Sequence, residues 1–410
     1  MQTSKPLLSS FESPNLFMSF SHTFFKASLI NVFEAPSIFA VPRCDANNYR
    51  PITVLPTISK SLEKAVHTQL YAYLKNIGIL TSKQFGFRPK LSTGTALAHF
   101  TDNILQNMDA GSFTGAVFLH LSKAFDTVDH PLLLQKLTNI GLTTSTAQWF
   151  RSYLTNRSQI TSVGDAHSAS TEMPIGVPQD SILGPLLFLI YVNDLQDCHL
   201  ASDIILYADD TVLYYPSKSV SDLEHNINAY LGTVVEWFSR NLLTLNISKC
   251  NFVIFGSPQK LNRIQDISVK VEGTSIERKQ SFKYLGVTLQ QSMSWADHHV
   301  DAMSVKINHR IGLIRRIRNL LPLQARVALY NALILPLFDH GDAIWGDKNN
   351  DTRIKNKAAK VMLREPPRSL STEALRSLDL KSLSTRTVFS SLHCNPQVSY
   401  WRNRFQLYFY

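Results

Sequence analysis

The spacing of apolar and polar positions changes several times along the chain, and each change predicts an element. Ile204-Ile205-Leu206-Tyr207 and Val212-Leu213-Tyr214-Tyr215 are β-branched and aromatic runs flanking Asp209 and Asp210. They predict a β-hairpin with the acids at its turn. A helical stripe runs through Leu62, Val66 and Leu70 to Leu74, with Ser59 as its candidate N-cap. Ser92-Thr93 predicts a second helix reaching about Met108, and Ala116 to Leu121 is a buried-strand signal. The stretch from Ser122 to Pro131 opens a helix to Leu137, with Asp126 as the expected cap. Trp149 to Leu154 predicts a short helix, and 160–163 with 170–173 a strand pair across Gly164-Asp165.

Gly176-Val177-Pro178-Gln179-Asp180 predicts a turn feeding a helix from Ser181 to Asp194, apolar nearly all round and therefore buried. Val220 to Asn241 is helical in spacing, while 251–255 and 282–289 predict strands. That order implies an α+β layer, a sheet backed by helices. From Val300 onward the pattern is helical. Ile307, Ile311, Ile314 and Leu321 form a stripe beside Lys306, Arg310, Arg315, Arg316 and Arg318, and Pro322 separates it from a second helix over 326–335. A third, basic helix is expected over 352–364. Residues 1–43 show little periodicity and are expected to be poorly defined, and 366–410 match no pattern.

Composition sharpens this picture. A hydrophobic share of 44% with 18% charged residues is that of a globular chain, long enough at 410 residues for two or three subdomains. The net charge of +10 falls entirely in residues 301–410, where 18 Lys and Arg face 8 Asp and Glu. A basic third on a neutral body implies a polyanionic partner, nucleic acid rather than a membrane surface. The longest apolar run, Ile182 to Val192, is about half of a bilayer span. Cys44, Cys198, Cys250 and Cys394 are too dispersed for a disulfide framework or a zinc site, so a reducing, intracellular setting is expected.

The acid pair carries the candidate chemistry. Adjacent carboxylates in an apolar hairpin repel and lose hydration, which calls for a divalent cation with hard oxygen ligands, Mg²⁺ first. Asp also favours plain turns through local hydrogen bonds, and these twelve residues leave both readings open. Arg50 and Lys60, on a loop and a helix start, can meet phosphates or stay solvated.

Several blocks together resemble the reverse transcriptases of non-LTR retrotransposons, jockey-like lineages in particular. They are NYRPITVLPTISKSLEKAV, QFGFRPKLST, FLHLSKAFDTVDH, GVPQDSILGPLLFLIYVNDL, YADDT, LNISKCNFVIFG and FKYLGVTL, collinear across residues 44–365 with two further blocks toward the C-terminus. The resemblance implies a right-hand polymerase with an antiparallel palm sheet backed by helices. Its parts would be fingers over 44–110, palm over 111–290, helical thumb over 291–345 and a basic extension over 346–410. It implies RNA-templated DNA synthesis from an RNA template, a DNA primer and deoxynucleoside triphosphates, with two Mg²⁺ ions for which Mn²⁺ can substitute, in the cytoplasm and nucleus. Asp209 and Asp210 match the paired metal ligands. Phe125 matches the bulky residue that excludes a ribose 2′-hydroxyl, and Gln179 lines the nucleotide pocket. Arg50, Lys60 and Arg88 lie in finger blocks that contact nucleotide or template. Lys283, Tyr284 and Gly286 match the hairpin that grips the primer, and Lys306, Arg310, Arg315, Arg316 and Arg318 would meet nucleic acid.

Two positions depart from that pattern. His120 stands where the family has a third metal-binding Asp, and imidazole suits Mn²⁺ or Zn²⁺ better than Mg²⁺. Asp180 stands where the family has Gly, placing a carboxylate where a triphosphate binds, at about 3 kcal/mol per unit charge with an effective dielectric near 20. The N-terminal endonuclease such elements carry is also missing, so a truncated copy with impaired activity is expected. The alternative is an inactive remnant that binds RNA or RNA–DNA hybrid. A two-carboxylate hydrolase finds no support beyond the acid pair.

Overall fold

Seven consecutive buried residues, Phe113 to Leu119, run through the middle of the main sheet. The computed structural model describes residues 29–33, 51–163, 166–198, 202–264, 267–293, 301–340, 344 and 361–363. The chain begins β1 (Leu29–Phe33), β2 (Pro51–Val54), α1 (Thr57–Asn76), α2 (Thr93–Asp109), β3 (Phe113–His120), α3 (His130–Asn139) and α4 (Thr144–Leu154). It continues with β4 (Ser158–Val163), β5 (Ala166–His167), β6 (Thr171–Glu172), α5 (Gly184–Val192), β7 (Asp203–Tyr207), β8 (Asp210–Ser217), α6 (Val220–Arg240) and β9 (Asn251–Phe255). Then come α7 (Pro258–Leu261), β10 (Lys270–Val271), β11 (Thr274–Ser275), β12 (Ser281–Tyr284), β13 (Val287–Gln290), α8 (Asp301–Ile317), α9 (Leu323–Leu333) and α10 (Leu335–Asp339). The fold is α+β. Among the described residues no helix is long and apolar enough to cross a membrane.

The residues fall into two compact units. One takes in the chain up to 87 with 121–199 and 234–245, and the other 88–120, 200–233 and 246 onward. In the first, β1 pairs antiparallel with β2 and parallel with β4, and β4 carries β5 and β6. Glu63 of α1, fully buried, organises this unit. Its Oε1 accepts from the Tyr153 hydroxyl at 2.9 Å and its Oε2 from the backbone N–H of Ile182 at 2.7 Å and of Leu183 at 3.4 Å. A carboxylate reaching in from another helix thus satisfies donors at the entry to α5. Burial, the charge of Glu63 and the hydrogen bond to it all push the Tyr153 hydroxyl far above its ordinary range.

In the second unit the sheet order is β7-β8-β3-β9, antiparallel throughout. Helix α2 covers one face, where the Phe100 ring meets Phe118, Tyr214, Phe255 and Tyr284 edge-on. Helix α6 covers the other at Gly115, where an added Cβ would lie 2.6 Å from Ile227 Cδ1 and 2.9 Å from Leu223 Cδ1. Covering both faces explains why β3 is an unbroken apolar run rather than an alternating one. The β12–β13 hairpin adds Phe282 to the Phe118 side, with ring centroids 4.4 Å apart. Helix α8 buries Ile307, Ile311 and Ile314 and leaves Lys306, Arg315 and Arg316 exposed.

Several elements differ from the sequence expectation. Helix α1 starts at Thr57 behind Pro56, so Ser59 lies buried within the first turn and caps nothing. Helix α5 starts at Gly184 rather than Ser181. The Ser181 hydroxyl donates to the Pro178 carbonyl and accepts from Gly184 N–H, tying 178–184 into a turn. The cap of α3 is Asp129, which accepts from Leu132 N–H at 2.8 Å, and not Asp126. Strand β1 lies inside the N-terminal stretch expected to be poorly defined. Apart from 361–363, the third basic helix lies outside the described residues, as do Gly164-Asp165 and 366–410. The Ser92 cap of α2 is present as a reciprocal pair with Thr95.

Candidate active site

The hairpin β7–β8 places the acid pair. Tyr207 and Asp210 are the last paired residues of the two strands, leaving Ala208 and Asp209 as the turn. Ala208 has φ of +57°, a left-handed conformation that costs a non-glycine residue about 1 kcal/mol. A tight primed-type turn imposes that sign, since only such turns follow the right-handed twist of paired strands. Asp210 opens β8, and His120, closing β3, is its partner in register. Cross-strand partners share a face, and here they touch: His120 Nδ1 lies 3.2 Å from Asp210 Oδ1. Partial burial raises the Asp210 carboxyl above its ordinary range, the bond to His120 pulls it back, and the charge of Asp209 pushes it up again.

Beside this pair opens a cleft of about 450 Å³. Phe118, Phe282 and Tyr284 give it an aromatic floor, and Lys249, Lys279 and Lys283 bring positive charge. Lys283 is exposed on β12, whereas Tyr284 is only 3% exposed. That corrects Tyr284 as a direct nucleic-acid contact, because alternation along β12 turns its ring inward onto Phe100 and Phe118. The Tyr284 hydroxyl is buried without a hydrogen-bond partner, and burial, then the charges of Asp210 and Tyr207, raise it far above its usual range. Leu285 and Gly286 turn the hairpin with φ of +44° and +89°. His340 Nε2 lies 2.8 Å from the Leu285 carbonyl, and a Cβ at Gly286 would meet that nitrogen at 2.5 Å. Sequence reasoning missed Lys249 and Lys279. Lys249 lies in the block LNISKCNFVIFG, where it marks only a polar turn before β9.

The first unit holds the other expected residues. The Phe125 ring stacks on Phe188 at 4.8 Å between centroids and meets Phe87 edge-on at 6.0 Å. Gln179 Nε2 donates to both carboxylate oxygens of Asp126, at 2.8 and 3.0 Å. Asp180 is exposed and has φ of +59°. The backbone therefore asks for glycine here because of its handedness, a stronger reason than close approach to a ligand. Lys60 is exposed, while Arg50 lies outside the described residues. In the second unit Arg88 and Arg318 are half-buried, and Arg310 donates to the Leu333 carbonyl at the end of α9, which ties it to its own fold.

Asp209 and Asp210 are the hard oxygen donors that this hairpin offers a divalent cation. Among the described residues no three His, Cys, Asp or Glu side chains converge as metal ligands. One Asp210 oxygen is engaged by an imidazole, a softer donor than the carboxylates Mg²⁺ takes. What the site offers is two carboxylates at a strained turn, one of them paired to histidine, beside an aromatic and lysine-bearing cleft.

A family profile for reverse transcriptase (RNA-dependent DNA polymerase) matches residues 41–289. A probable RNA-directed DNA polymerase from transposon BS of Drosophila melanogaster is 29% identical over 362 residues, covering 83% of this chain and 39% of the relative. The corresponding enzyme of the X-element in the same species is 29% identical, over 82% of this chain and 37% of its own length. That of mobile element jockey is 28% identical, over 78% and 36%. The chain thus spans under two fifths of these relatives. The solved structure of telomerase from Candida albicans with a telomeric RNA fragment aligns with a TM-score of 0.44 and 11% identity, over 88% of this chain and 68% of that one. The profile covers well over half of the chain, in the collinear blocks that hold the acid hairpin, and the chain belongs to the reverse transcriptase family, alongside the RNA-directed DNA polymerases of jockey-type non-LTR retrotransposons.

Proposed function

We propose that this chain is the polymerase portion of a non-LTR retrotransposon protein, built to copy RNA into DNA and impaired in doing so. The observation that carries the reading is the register of β3 against β8, which sets position 120 against Asp210 beside a cleft. The family's reaction is phosphoryl transfer, in which positioning and charge neutralisation supply nearly all of the catalysis. Divalent metal, held by carboxylates, supplies that neutralisation, and in this fold the carboxylate set is one short. His120 instead hydrogen-bonds Asp210, which leaves Asp209 as the acid not engaged by it.

The remaining roles follow from the residues. Phe125, braced by Phe188 and Phe87, is the wall against a ribose 2′-hydroxyl, and Gln179 faces the nucleotide. Lys60, Arg88 and Arg50 meet phosphates of nucleotide or template. Lys283 on its hairpin meets the primer, and Lys306, Arg315 and Arg316 on α8 meet the duplex backbone. The finger, palm, thumb and extension boundaries given above go with this reading, as do the RNA template, DNA primer, deoxynucleoside triphosphates and a location in the cytoplasm and nucleus.

Primer extension on an RNA template tests it, with filter binding of the template as a parallel measurement. The unaltered chain should bind RNA and extend near background in Mg²⁺, with a faint gain in Mn²⁺. Restoring both positions, His120→Asp with Asp180→Gly, should raise extension by orders of magnitude. Robust extension by the unaltered chain would refute the impairment. No extension after both replacements, with RNA still bound, favours the second reading, a nucleic-acid-binding remnant.

A further inference from the structure

Gln179 is held by a single side chain. Both carboxylate oxygens of Asp126 accept from its Nε2, while its Oε1 is buried without a hydrogen-bond partner. The pairing fixes which end of the amide faces Asp126, because the reverse would point a carbonyl at a carboxylate. Around it the backbones of 125–130 and 176–179 are strapped together. Val177 N–H donates to the Phe125 carbonyl at 2.8 Å and Gly176 N–H to the Val128 carbonyl at 2.7 Å, and His130 Nε2 lies 2.7 Å from the Gly176 carbonyl. Gly176, with φ of +88°, sits so close that a Cβ would lie 2.8 Å from the Asp126 carbonyl oxygen.

Asp126 is not spent on the helix that follows it, since Asp129 caps α3. Nor does the strap need its carboxylate, because the strap is made by backbone groups and His130. Its two oxygens serve Gln179. A glutamine on a turn has three rotatable side-chain bonds, and a bidentate clamp on its nitrogen removes that freedom before a ligand arrives.

We propose that Asp126 is a positioning residue for nucleotide binding: it clamps the Gln179 amide beside Phe125 so that the incoming nucleotide meets it in one orientation. The inference rests on the reading of Gln179 as a nucleotide-site residue and adds the group that sets it.

The test uses the full chain carrying His120→Asp and Asp180→Gly, with steady-state extension on an RNA template. Asp126→Ala and Gln179→Ala should each raise the KM for deoxynucleotide on the order of tenfold. In both, kcat should stay within about twofold. Asp126→Asn, which keeps one acceptor, should fall between, and the double alanine variant should be no worse than either single one. A purely structural Asp126 would lower the unfolding midpoint and kcat together and add to Gln179→Ala, and that result overturns the proposal, as does an unchanged KM. If the doubly replaced background extends no primer, the polymerase reading falls and takes this role with it. An active background with additive effects removes the role alone.

Discussion

Replacing His120 by Asp should make the stability of the hairpin respond to Mg²⁺. In the unaltered chain Asp210 is already paired, with His120 Nδ1 3.2 Å from its Oδ1. Asp at 120 would put a second carboxylate opposite the first. At about 5 Å and an effective dielectric near 20, two such charges repel by about 3 kcal/mol. The Asp210 side chain is 42% exposed and the His120 side chain 33%, so solvent screening cuts this to about 1–2 kcal/mol. Uptake of a shared proton limits it further. The variant should therefore unfold earlier in chelator at neutral pH. Mg²⁺ at a hundred times its dissociation constant returns about 2.7 kcal/mol to the folded state. At about 2–4 °C per kcal/mol for a cooperative unit of 150–250 residues, that is a rise of roughly 5–10 °C in the midpoint. Differential scanning calorimetry with and without Mg²⁺ measures it. The unaltered chain should move by no more than about 1 °C, since RT ln(1 + [L]/Kd) is small when the site binds poorly. Adding Asp210→Asn to the variant should abolish the response. An equal Mg²⁺ response in the unaltered chain, or none in His120→Asp, refutes the argument that position 120 decides metal affinity.

Glu63→Ala strips an acceptor from Tyr153, Ile182 and Leu183 at once and should cost about 3 kcal/mol, read from the urea midpoint; Glu63→Gln should cost markedly less. Gly115→Ala meets side chains, the ends of Ile227 and Leu223 and the edge of the Phe252 ring, and should cost about 1–2 kcal/mol, whereas Gly176→Ala meets the Asp126 backbone at a left-handed φ and should cost about 3 kcal/mol. Equal losses in those two would show that the local backbone yields more easily than its contacts imply. The raised Asp210 pKa favours the protonated carboxyl in the fold, so its contribution is fully present below the ordinary carboxylate pKa and is lost as pH rises through the raised value. Asp210→Asn should accordingly gain stability relative to the unaltered chain on going from acid to neutral pH, in midpoints taken across that range. Asp180→Gly relieves a left-handed φ, worth about 1 kcal/mol, but frees the unfolded chain by a similar amount. Its unfolding midpoint should hardly move while the KM for deoxynucleotide falls in the His120→Asp background.

Much of this was legible in the sequence because local pattern and tertiary environment agree. The acid hairpin and the stripe of α8 carry their periods openly and β3 shows as an unbroken buried run, but its register on β8 was not legible, because both of its faces are covered and burial does not choose between them. The misses fall where a distant partner decides. Glu63 reads as a solvated residue on an amphipathic helix, yet its donors come from positions 153, 182 and 183, and no window around 63 contains them. Asp126 and Asp129 are equally good caps by type. Pro131 was the usable signal, because proline belongs in the first helical turn and so marks Asp129 as the residue before it.

The turn residues are a different case. Ala208, Asp180 and Leu285 all hold positive φ without being glycine, and nothing in their identity announces it. At Ala208 and Leu285 the paired strands on either side impose the turn, so the strain is absorbed by the ladder bonds flanking it. Asp180 has no such ladder. Its turn is held by the straps of 176–179 to 125–130 and by the Ser181 bonds, which are local and few. A left-handed aspartate is tolerable there because the preceding clasp fixes the backbone whatever side chain follows. The exposed Asp180 side chain displaces nothing packed around the turn, so the cost to the fold is confined to the backbone. On the proposed reading, a polymerase fold persists with altered chemistry because His120 hydrogen-bonds Asp210 at the rim of the cleft and Asp180 lies exposed on its turn, so neither side chain enters the core.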